Sequence, residues 1–374
     1  MRYSGSAVLW LAEGSVPHFA EMVVLGREIL KALVEEIGAD GVVKRFADPF
    51  WLTALACVLG FEWNTSGQTT VTLKALKQGL AGTDIPVRIC GGKGIEMRKS
   101  YLEAGKFLAE IGVKEVGEIR RVMRLTAAVD DAALQDCHDV YFNATLVSET
   151  GKWTVVNQGM DVKTGTARRY HWSSDIGARV DEPHSEIVGD CSYPVVLNLT
   201  CAASSETRKT ILEMLWDTPP SRLNEDLAQV KAMLKKQTFL DRETLLQPPE
   251  IPNELLPPQK LDEETIRRAK HVTKFEELLL TSGIGKATVR GLAYIGALLY
   301  GSRLSWKDPV KFVYAFGTKS GKPYYVNRKA MIEAAEFLKS AVLGSKMGDG
   351  DKVTALRRLK SFIENLEKEE SVNH

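Results

Sequence analysis

The sequence has few of the features that mark a secreted, zinc-binding or membrane protein. Its 374 residues include only five cysteines, with no CxxC pair, so neither a disulfide framework nor a zinc finger is indicated. No apolar run approaches the roughly 20 residues that cross a membrane. The apolar run near residues 7–12 is too short for the core of a signal peptide. We therefore expect a cytoplasmic protein with reduced thiols and no zinc.

The chain also lacks an overall charge of one sign, since 49 Lys and Arg oppose 48 Asp and Glu. Such a balance argues against a protein that coats nucleic acid over its whole surface. Basic charge is concentrated in residues 281–330, where nine basic residues and one acid, Asp308, give a local net charge of +8. The nine are Lys286, Arg290, Arg303, Lys307, Lys311, Lys319, Lys322, Arg328 and Lys329. One basic face on a near-neutral protein predicts a localised nucleic-acid surface.

The most informative stretch is Gly283-Ile284-Gly285-Lys286, which separates two apolar helical segments. This pattern is typical of a helix-hairpin-helix, a module that binds the phosphate backbone of DNA. Gly283 and Gly285 permit positive φ and close backbone approach, and the helix N-terminus that follows favours an anion. Lys286 and Arg290 are one helical turn apart, so both are expected to contact DNA, without strong sequence specificity. The alternative is an ordinary helical hairpin with a glycine cap and a solvated basic face.

Hydrophobic periodicity predicts a mostly helical α+β fold. Residues 17–80 have helical spacing, and Asp48-Pro49 is a start signal for the second of three helices. Four later segments favour strands, at residues 140–148, 153–157, 166–172 and 195–200, and the first two are joined by a Glu149-Thr150-Gly151-Lys152 turn. We expect a small, mainly antiparallel sheet within a body that extends to about residue 245.

Prolines suggest a division of the chain. Seven of the fourteen lie between residues 219 and 258, and the densest part, residues 248–258, is typical of a stiff linker or an extended strap. We therefore expect residues 260–374 to form a separate helical domain that carries the hairpin, and to fold and bind DNA alone.

A glycine-rich loop, Gly91-Gly92-Lys93-Gly94, follows a short β-type run at residues 85–90 and precedes a helix. It matches neither common nucleotide-binding motif, so a turn without a ligand is the simpler interpretation. A contact between Lys93 and a DNA phosphate is the functional alternative.

Polar residues at the ends of the predicted hairpin suggest chemistry. Asp136 or Asp139 and Gln158, with Lys163 as a further candidate, have the arrangement of a metal-dependent nuclease, in which Mg²⁺ or Mn²⁺ activates water. Asp136 and Asp139 are the candidate metal ligands. Glutamine in place of a second carboxylate counts against this hypothesis.

The segment Ala167-Arg168-Arg169-Tyr170-His171-Trp172 combines basic and aromatic side chains that suit a phosphate clamp with base stacking. On a strand, Arg169 and His171 share one face, and Arg168 lies on the other. We take Asp139, Gln158, Arg169 and His171 as a candidate catalytic group, with His171 as acid or base, and Arg168 as a DNA contact. The alternative is a half-buried strand with structural arginines.

The hairpin also raises the hypothesis of a DNA glycosylase. Many enzymes of that group place a catalytic aspartate beyond the second hairpin helix, and Asp308 is the nearest match here. Asp308 lies a few residues too far along and precedes a proline, as a helix cap would. Ala287 occupies the position of the lysine of the lyase subgroup.

Several motifs together resemble one uncharacterised prokaryotic family, domain of unknown function 763, which is common in archaea. The resemblance covers nearly all residues to about 360 and rests on these segments: residues 48–51, 58–61, 91–94, 151–153, 158–160, 167–172 and the hairpin. It implies no known activity. The sequence thus favours a DNA-processing or repair enzyme, such as a nuclease, and the alternatives are a non-enzymatic DNA-binding protein and a glycosylase using Asp308.

Overall fold

A computed structural model describes residues 19–59, 67–189, 192–236 and 251–313, with ten further positions between 338 and 357. It is mostly helical and contains a small, mainly antiparallel sheet, as predicted. The basic residues Lys319, Lys322, Arg328 and Lys329 lie outside the described residues.

Ten α-helices lie within the described ranges: α1 Phe19–Arg45, α2 Pro49–Leu59, α3 Gly67–Leu80, α4 Ile95–Ala109, α5 Val116–Ala128, α6 Ser205–Asp217, α7 Pro220–Lys236, α8 Glu263–Ala269, α9 Phe275–Leu280 and α10 Lys286–Leu299. A π-helical turn, Val129–Ala133, continues α5. The strands are β1 Val87–Lys93, β2 Leu134–Gln135, β3 Asp139–Ser148, β4 Trp153–Asp161, β5 Thr166–Ser173, β6 Glu186–Gly189, β7 Leu197–Asn198 and β8 Phe312–Val313.

Local sequence explains the first helices. The Asp48 carboxylate accepts the Phe50 backbone N–H at 2.8 Å, which caps α2 as its Asp-Pro start predicts. Every side chain of α2 is buried, because this apolar helix is enclosed on all sides. The three predicted N-terminal helices are thereby confirmed within the described residues.

The main sheet has the strand order β1-β3-β4-β5-β6-β8 and is antiparallel except for the β6–β8 pair. The turn between β3 and β4 is the predicted one, with Gly151 at φ 86° and the Ser148 N–H bonded to the Lys152 carbonyl. The predicted strand at residues 195–200 is reduced to β7, which pairs with β2 outside the main sheet. β6 and β8 were not predicted, since each is short.

Two hydrophobic cores lie on opposite faces of this sheet. Helices α1–α3 cover one face, where Phe142, Leu146 and Val156 point. The other face, which carries Trp153 and Trp172, packs against α4–α7 and α9–α10. The sheet is therefore the middle of three layers.

The described part of the C-terminal region is built into these same cores. Phe275, Val289 and Leu292 belong to the core of α5 and α6, whereas Leu338 and Val342 belong to the core of α1–α3. The described residues from position 260 onward therefore contribute to cores that they share with the body, and a separate C-terminal domain stays a prediction. We call residues 251–258, the described part of the proline-rich segment, the proline-rich strap.

Among the residues that the structure describes, every helix is too short or too polar to cross a bilayer.

Candidate functional site

Three of the four candidate catalytic residues lie together on the α1–α3 face of the sheet. Gln158 of β4 is directly opposite Arg169 of β5, and His171 lies two residues beyond Arg169 on the same face. Arg169 Nη2 donates to Thr53 Oγ1 at 2.9 Å, and Gln158 Nε2 donates to the Tyr141 hydroxyl at 2.6 Å. The period-2 pattern of strand side chains predicted the shared face of Arg169 and His171, and the register of β4 against β5 adds Gln158.

This group is buried beneath α2. His171 is 0% exposed and Gln158 is 2% exposed. His171 Nδ1 lies 2.9 Å from the Phe46 carbonyl, so this nitrogen carries the proton and Nε2 is an acceptor. Burial, reinforced by the charge of Arg169, lowers the pKa of His171 to about 3. A histidine in this state is neutral and structural, and it cannot reach a DNA phosphate.

Asp139 does not join the other three. It pairs with Met160 at the start of β3, and its side chain is 71% exposed. Its carboxylate contacts the ammonium of Lys286 on α10, on the opposite side of the sheet from His171. The four predicted catalytic residues therefore do not form one site. A β-bulge between Val140 and Phe142 and the ion pair with Lys286 place the Asp139 side chain away from the other three.

On the other face, Arg168 is the centre of a buried ionic cluster. Arg168 Nη1 lies 2.8 Å from Asp136 Oδ2, and its two terminal nitrogens lie 2.9 and 2.5 Å from the oxygens of Asp308. The Tyr170 hydroxyl donates to Asp136 at 2.7 Å. Burial alone would raise the pKa of Asp136, but Arg168 and His138 outweigh it, and the pKa falls well below its usual range.

This cluster bears on two predictions, those for Arg168 and Asp308. Arg168 is 1% exposed and holds two carboxylates, so it is a structural cation and not a DNA contact. Asp308 also accepts the backbone N–H groups of Tyr193 and Val310, at 2.7 and 3.0 Å. With its oxygens so occupied, it has no free lone pair with which to attack a sugar or activate water.

Asp136 and Asp139, the candidate metal ligands, do not form one site. Asp136 is turned inward to Arg168, whereas Asp139 lies at the surface beside Lys286. Among the described residues, no group of three or more His, Cys, Asp or Glu side chains is arranged to hold a metal ion. A nearby cation already neutralises each carboxylate.

A second buried polar group, which the sequence did not indicate, surrounds Asp130 on the π-helical turn. Asp130 accepts from His184 Nε2 at 2.5 Å, from Asn157 Nδ2 at 2.7 Å and from Trp172 Nε1 at 3.0 Å. Asn157 in turn accepts from Asn143 at 2.6 Å. The contacts join residues up to 54 positions apart in sequence, so only the tertiary fold assembles them.

The Gly-x-Gly turn at residues 281–285 joins α9 to α10, as predicted. Gly283 has φ 92°, and a Cβ there would meet Thr265 Oγ1 at 2.6 Å. Gly285 instead has an extended backbone (φ −144°) and open space around its Cα. Only the first glycine is therefore required by the turn, contrary to the expectation that both adopt positive φ.

The two predicted hairpin cations, Lys286 and Arg290, are both partly buried but have different partners. The Lys286 side chain is 44% exposed and contacts Asp139. Arg290 is turned into the protein, where Nε donates to the Leu256 carbonyl at 2.8 Å and Nη1 to Gln135 Oε1 at 2.7 Å. Arg290 thereby ties α10 to the proline-rich strap, and its contact with DNA stays a prediction.

Two exposed arginines from other helices lie at the turn, and the sequence did not indicate them. Arg124 of α5 donates through Nη2 to the Leu280 carbonyl at 3.3 Å, at the end of α9. Arg268 of α8 places Nη2 3.3 Å from the Cβ position of Gly283. Together with Lys286 they form what we call the hairpin surface: residues 281–287, Arg124 and Arg268. Their distance from the turn in sequence explains why no local motif found them.

The glycine-rich loop, residues 91–94, lies near the start of β3, at the same end of the sheet as Asp139 and Lys286. Lys93 pairs with Phe142 near the start of β3, and its ammonium lies 5.4 Å from the centre of the Tyr141 ring. A Cβ on Gly91 would lie 2.0 Å from the Asn143 carbonyl oxygen, so this glycine is required for strand approach. The loop therefore has a structural role, and Lys93 remains exposed beside it.

Comparison with known proteins assigns a family but no activity. The chain belongs to the family described as protein of unknown function (DUF763), whose model matches residues 5–326. No curated protein and no solved structure matches the chain.

Proposed function

We propose that this member of the DUF763 family binds DNA through the hairpin surface. The observation that carries the proposal is the convergence of Arg124, Arg268 and Lys286, from three different helices, on the turn of Gly283. Cations that approach one short turn from separate elements repel each other, and an anion at the turn removes that repulsion.

Backbone geometry supports an anion at the same place. The first N–H groups of α10 have no partner within the helix, and its dipole adds positive potential at this end. Ser282, Gly283 and Ala287 are exposed, so a phosphate can approach these groups. Donors of this kind contact any phosphate backbone, which favours binding without strong sequence specificity.

The acids near the turn limit the strength of binding. Asp139 contacts Lys286. Burial raises the pKa of Asp131, and the nearby charge of Lys286 partly opposes that rise. A DNA phosphate must compete with Asp139 for Lys286. Exposed ion pairs contribute only about 0.2–1 kcal/mol, so this competition weakens the interaction with DNA without preventing it.

The test is DNA binding by the full chain as a function of salt. The variant Arg124→Ala, Arg268→Ala, Lys286→Ala should bind duplex DNA far more weakly than the wild type. The slope of log affinity against log salt should flatten by about 0.9 for each phosphate that the variant no longer neutralises.

The chain offers matched controls on the same helices. Arg121 and Arg267 are neighbours of the test residues with solvent-accessible side chains, and they pair with Glu118 and Glu263, respectively. Replacing both with alanine removes two positive charges, against three in the test variant, but leaves the hairpin surface intact, and binding should change little. If the control variant loses as much affinity as the test variant, or if the wild type does not bind DNA, the proposal is rejected.

A further inference from the structure

Val162 is the most exposed large apolar side chain among the described residues, at 84%. It lies at the tip of the turn between β4 and β5, and Lys163 follows it. A single exposed apolar residue is ordinary on a protein surface. The structure around this one, however, holds it in a fixed position beside the hairpin surface.

The turn is rigid because Asp161 caps it from within. The Asp161 carboxylate accepts the Lys163 backbone N–H at 2.9 Å and the Thr164 hydroxyl at 2.9 Å. The Asp161 carbonyl accepts the Gly165 N–H at 2.9 Å, with Gly165 at φ 68°. The side chain of Val162 is therefore presented outward without the entropy cost of ordering a loose loop.

Two independent sets of interactions locate this turn next to the hairpin surface. Met160, two residues before Val162, pairs with Asp139, whose carboxylate contacts Lys286. Lys163 contacts Glu254. Two residues after Glu254, the Leu256 carbonyl accepts a hydrogen bond from Arg290 of α10. Leu256 is itself 40% exposed, so the segment that contacts both Lys163 and Arg290 carries a second accessible apolar side chain.

The first of these connections also sets the distance. Two residues of strand rise about 7 Å, a cross-strand step adds about 5 Å, and the Asp–Lys pair adds less than about 10 Å. Val162 thus lies within about 22 Å of the Lys286 backbone. This is shorter than one helical turn of B-DNA, about 34 Å.

We propose that Val162 is a wedge that packs into a base step of the same DNA duplex that the hairpin surface holds. This inference rests on the proposed function and extends it to the form of the bound DNA, which is locally unstacked. Apolar side chains that enter a base step bury their surface against the bases and bend the duplex. Leu256 widens the apolar surface.

The experiment uses the full chain and a short duplex with 2-aminopurine at several positions of one strand. The fluorescence intensity of this base rises when it is unstacked. Binding is followed separately by fluorescence anisotropy. Wild-type protein should raise the 2-aminopurine signal several-fold at saturation. Val162→Ser should lose most of that rise while it still binds, with a loss of affinity below about tenfold.

Val24→Ser is the matched control, since Val24 is an exposed valine on α1, 46% accessible. It should leave both signals unchanged. An undiminished 2-aminopurine rise in Val162→Ser, or binding by the wild type without any rise, overturns the wedge and leaves hairpin binding standing. Absence of DNA binding by the wild type overturns the proposed function itself. Circular dichroism should show that Val162→Ser is folded, as the exposed position of this residue predicts.

Discussion

At the scale of single residues, burial decides what the ionisable side chains of this protein do. His171, Arg168 and Asp308 all have the chemistry of catalytic groups, and each is held inside by specific partners. Arg168 between two carboxylates is a costly arrangement, and loss of one member of such a cluster typically costs about 3–5 kcal/mol. These residues therefore specify the fold around β5.

His171 leads to a prediction about pH. Its pKa in the folded protein is about 3, whereas histidine in an unfolded chain titrates near 6.5. Between these pH values only the unfolded chain binds the proton, so the free energy of unfolding falls as the pH is lowered through this window. One such group contributes up to about 1.4 kcal/mol per pH unit.

The measurement is urea denaturation of the wild type and of His171→Asn across this pH window. Asparagine keeps a donor for the Phe46 carbonyl but does not titrate. The slope of unfolding free energy against pH should therefore be smaller in the variant, by the amount that corresponds to about one bound proton. His271→Asn, at an exposed position, is the control for the substitution itself. Equal slopes for the wild type and His171→Asn would contradict the assignment of His171 as a buried neutral base.

At the scale of elements, the turn between α9 and α10 distinguishes its two glycines. Gly283→Ala forces a Cβ into a positive-φ position and against Thr265, so we expect a loss of about 1–3 kcal/mol in unfolding free energy. Gly285→Ala meets open space at an extended backbone and should change stability by less than about 0.5 kcal/mol.

Chemical denaturation of these two variants, which differ only in the position of one methyl group, is the measurement. The Gly-x-Gly pattern alone predicts that both substitutions are equally harmful. If Gly285→Ala proves as destabilising as Gly283→Ala, the backbone of this turn differs from the one described.

At the scale of the whole molecule, the described part of the C-terminal region shares its core with the body. α10 packs against α6 and α7, and Phe275 and Val289 lie in the same core as Leu125 of α5. A fragment of residues 260–374 would expose that apolar surface, so we expect it to be largely unfolded in solution.

Circular dichroism and amide NMR dispersion of this fragment, compared with the full chain, test the expectation. The full chain should be folded under the same conditions. A fragment that unfolds cooperatively and shows dispersed amide signals would contradict the shared core and restore the separate domain that the prolines suggested.

The local features of this protein can be read along the chain. Apolar periodicity and the Asp48 cap define α1–α3, Gly151 defines the β3–β4 turn, and the motifs identify the family. These features depend on neighbours within a few residues, whose backbone preferences and periodicity the sequence carries directly. The shared face of Arg169 and His171 follows from the same strand period, whereas Gln158 joins them through the register of β4 against β5.

Which polar residues meet, and which reach solvent, depends instead on how the elements pack. Asp139 and Lys286, 147 positions apart, are brought together by packing, as are Arg168 and Asp308, 140 positions apart. Arg124 and Arg268 acquire their place at the hairpin turn in the same way. A strand pattern predicts the face on which a side chain lies but not which elements pack over that face. The packing of the helices buries His171 and leaves the hairpin surface exposed.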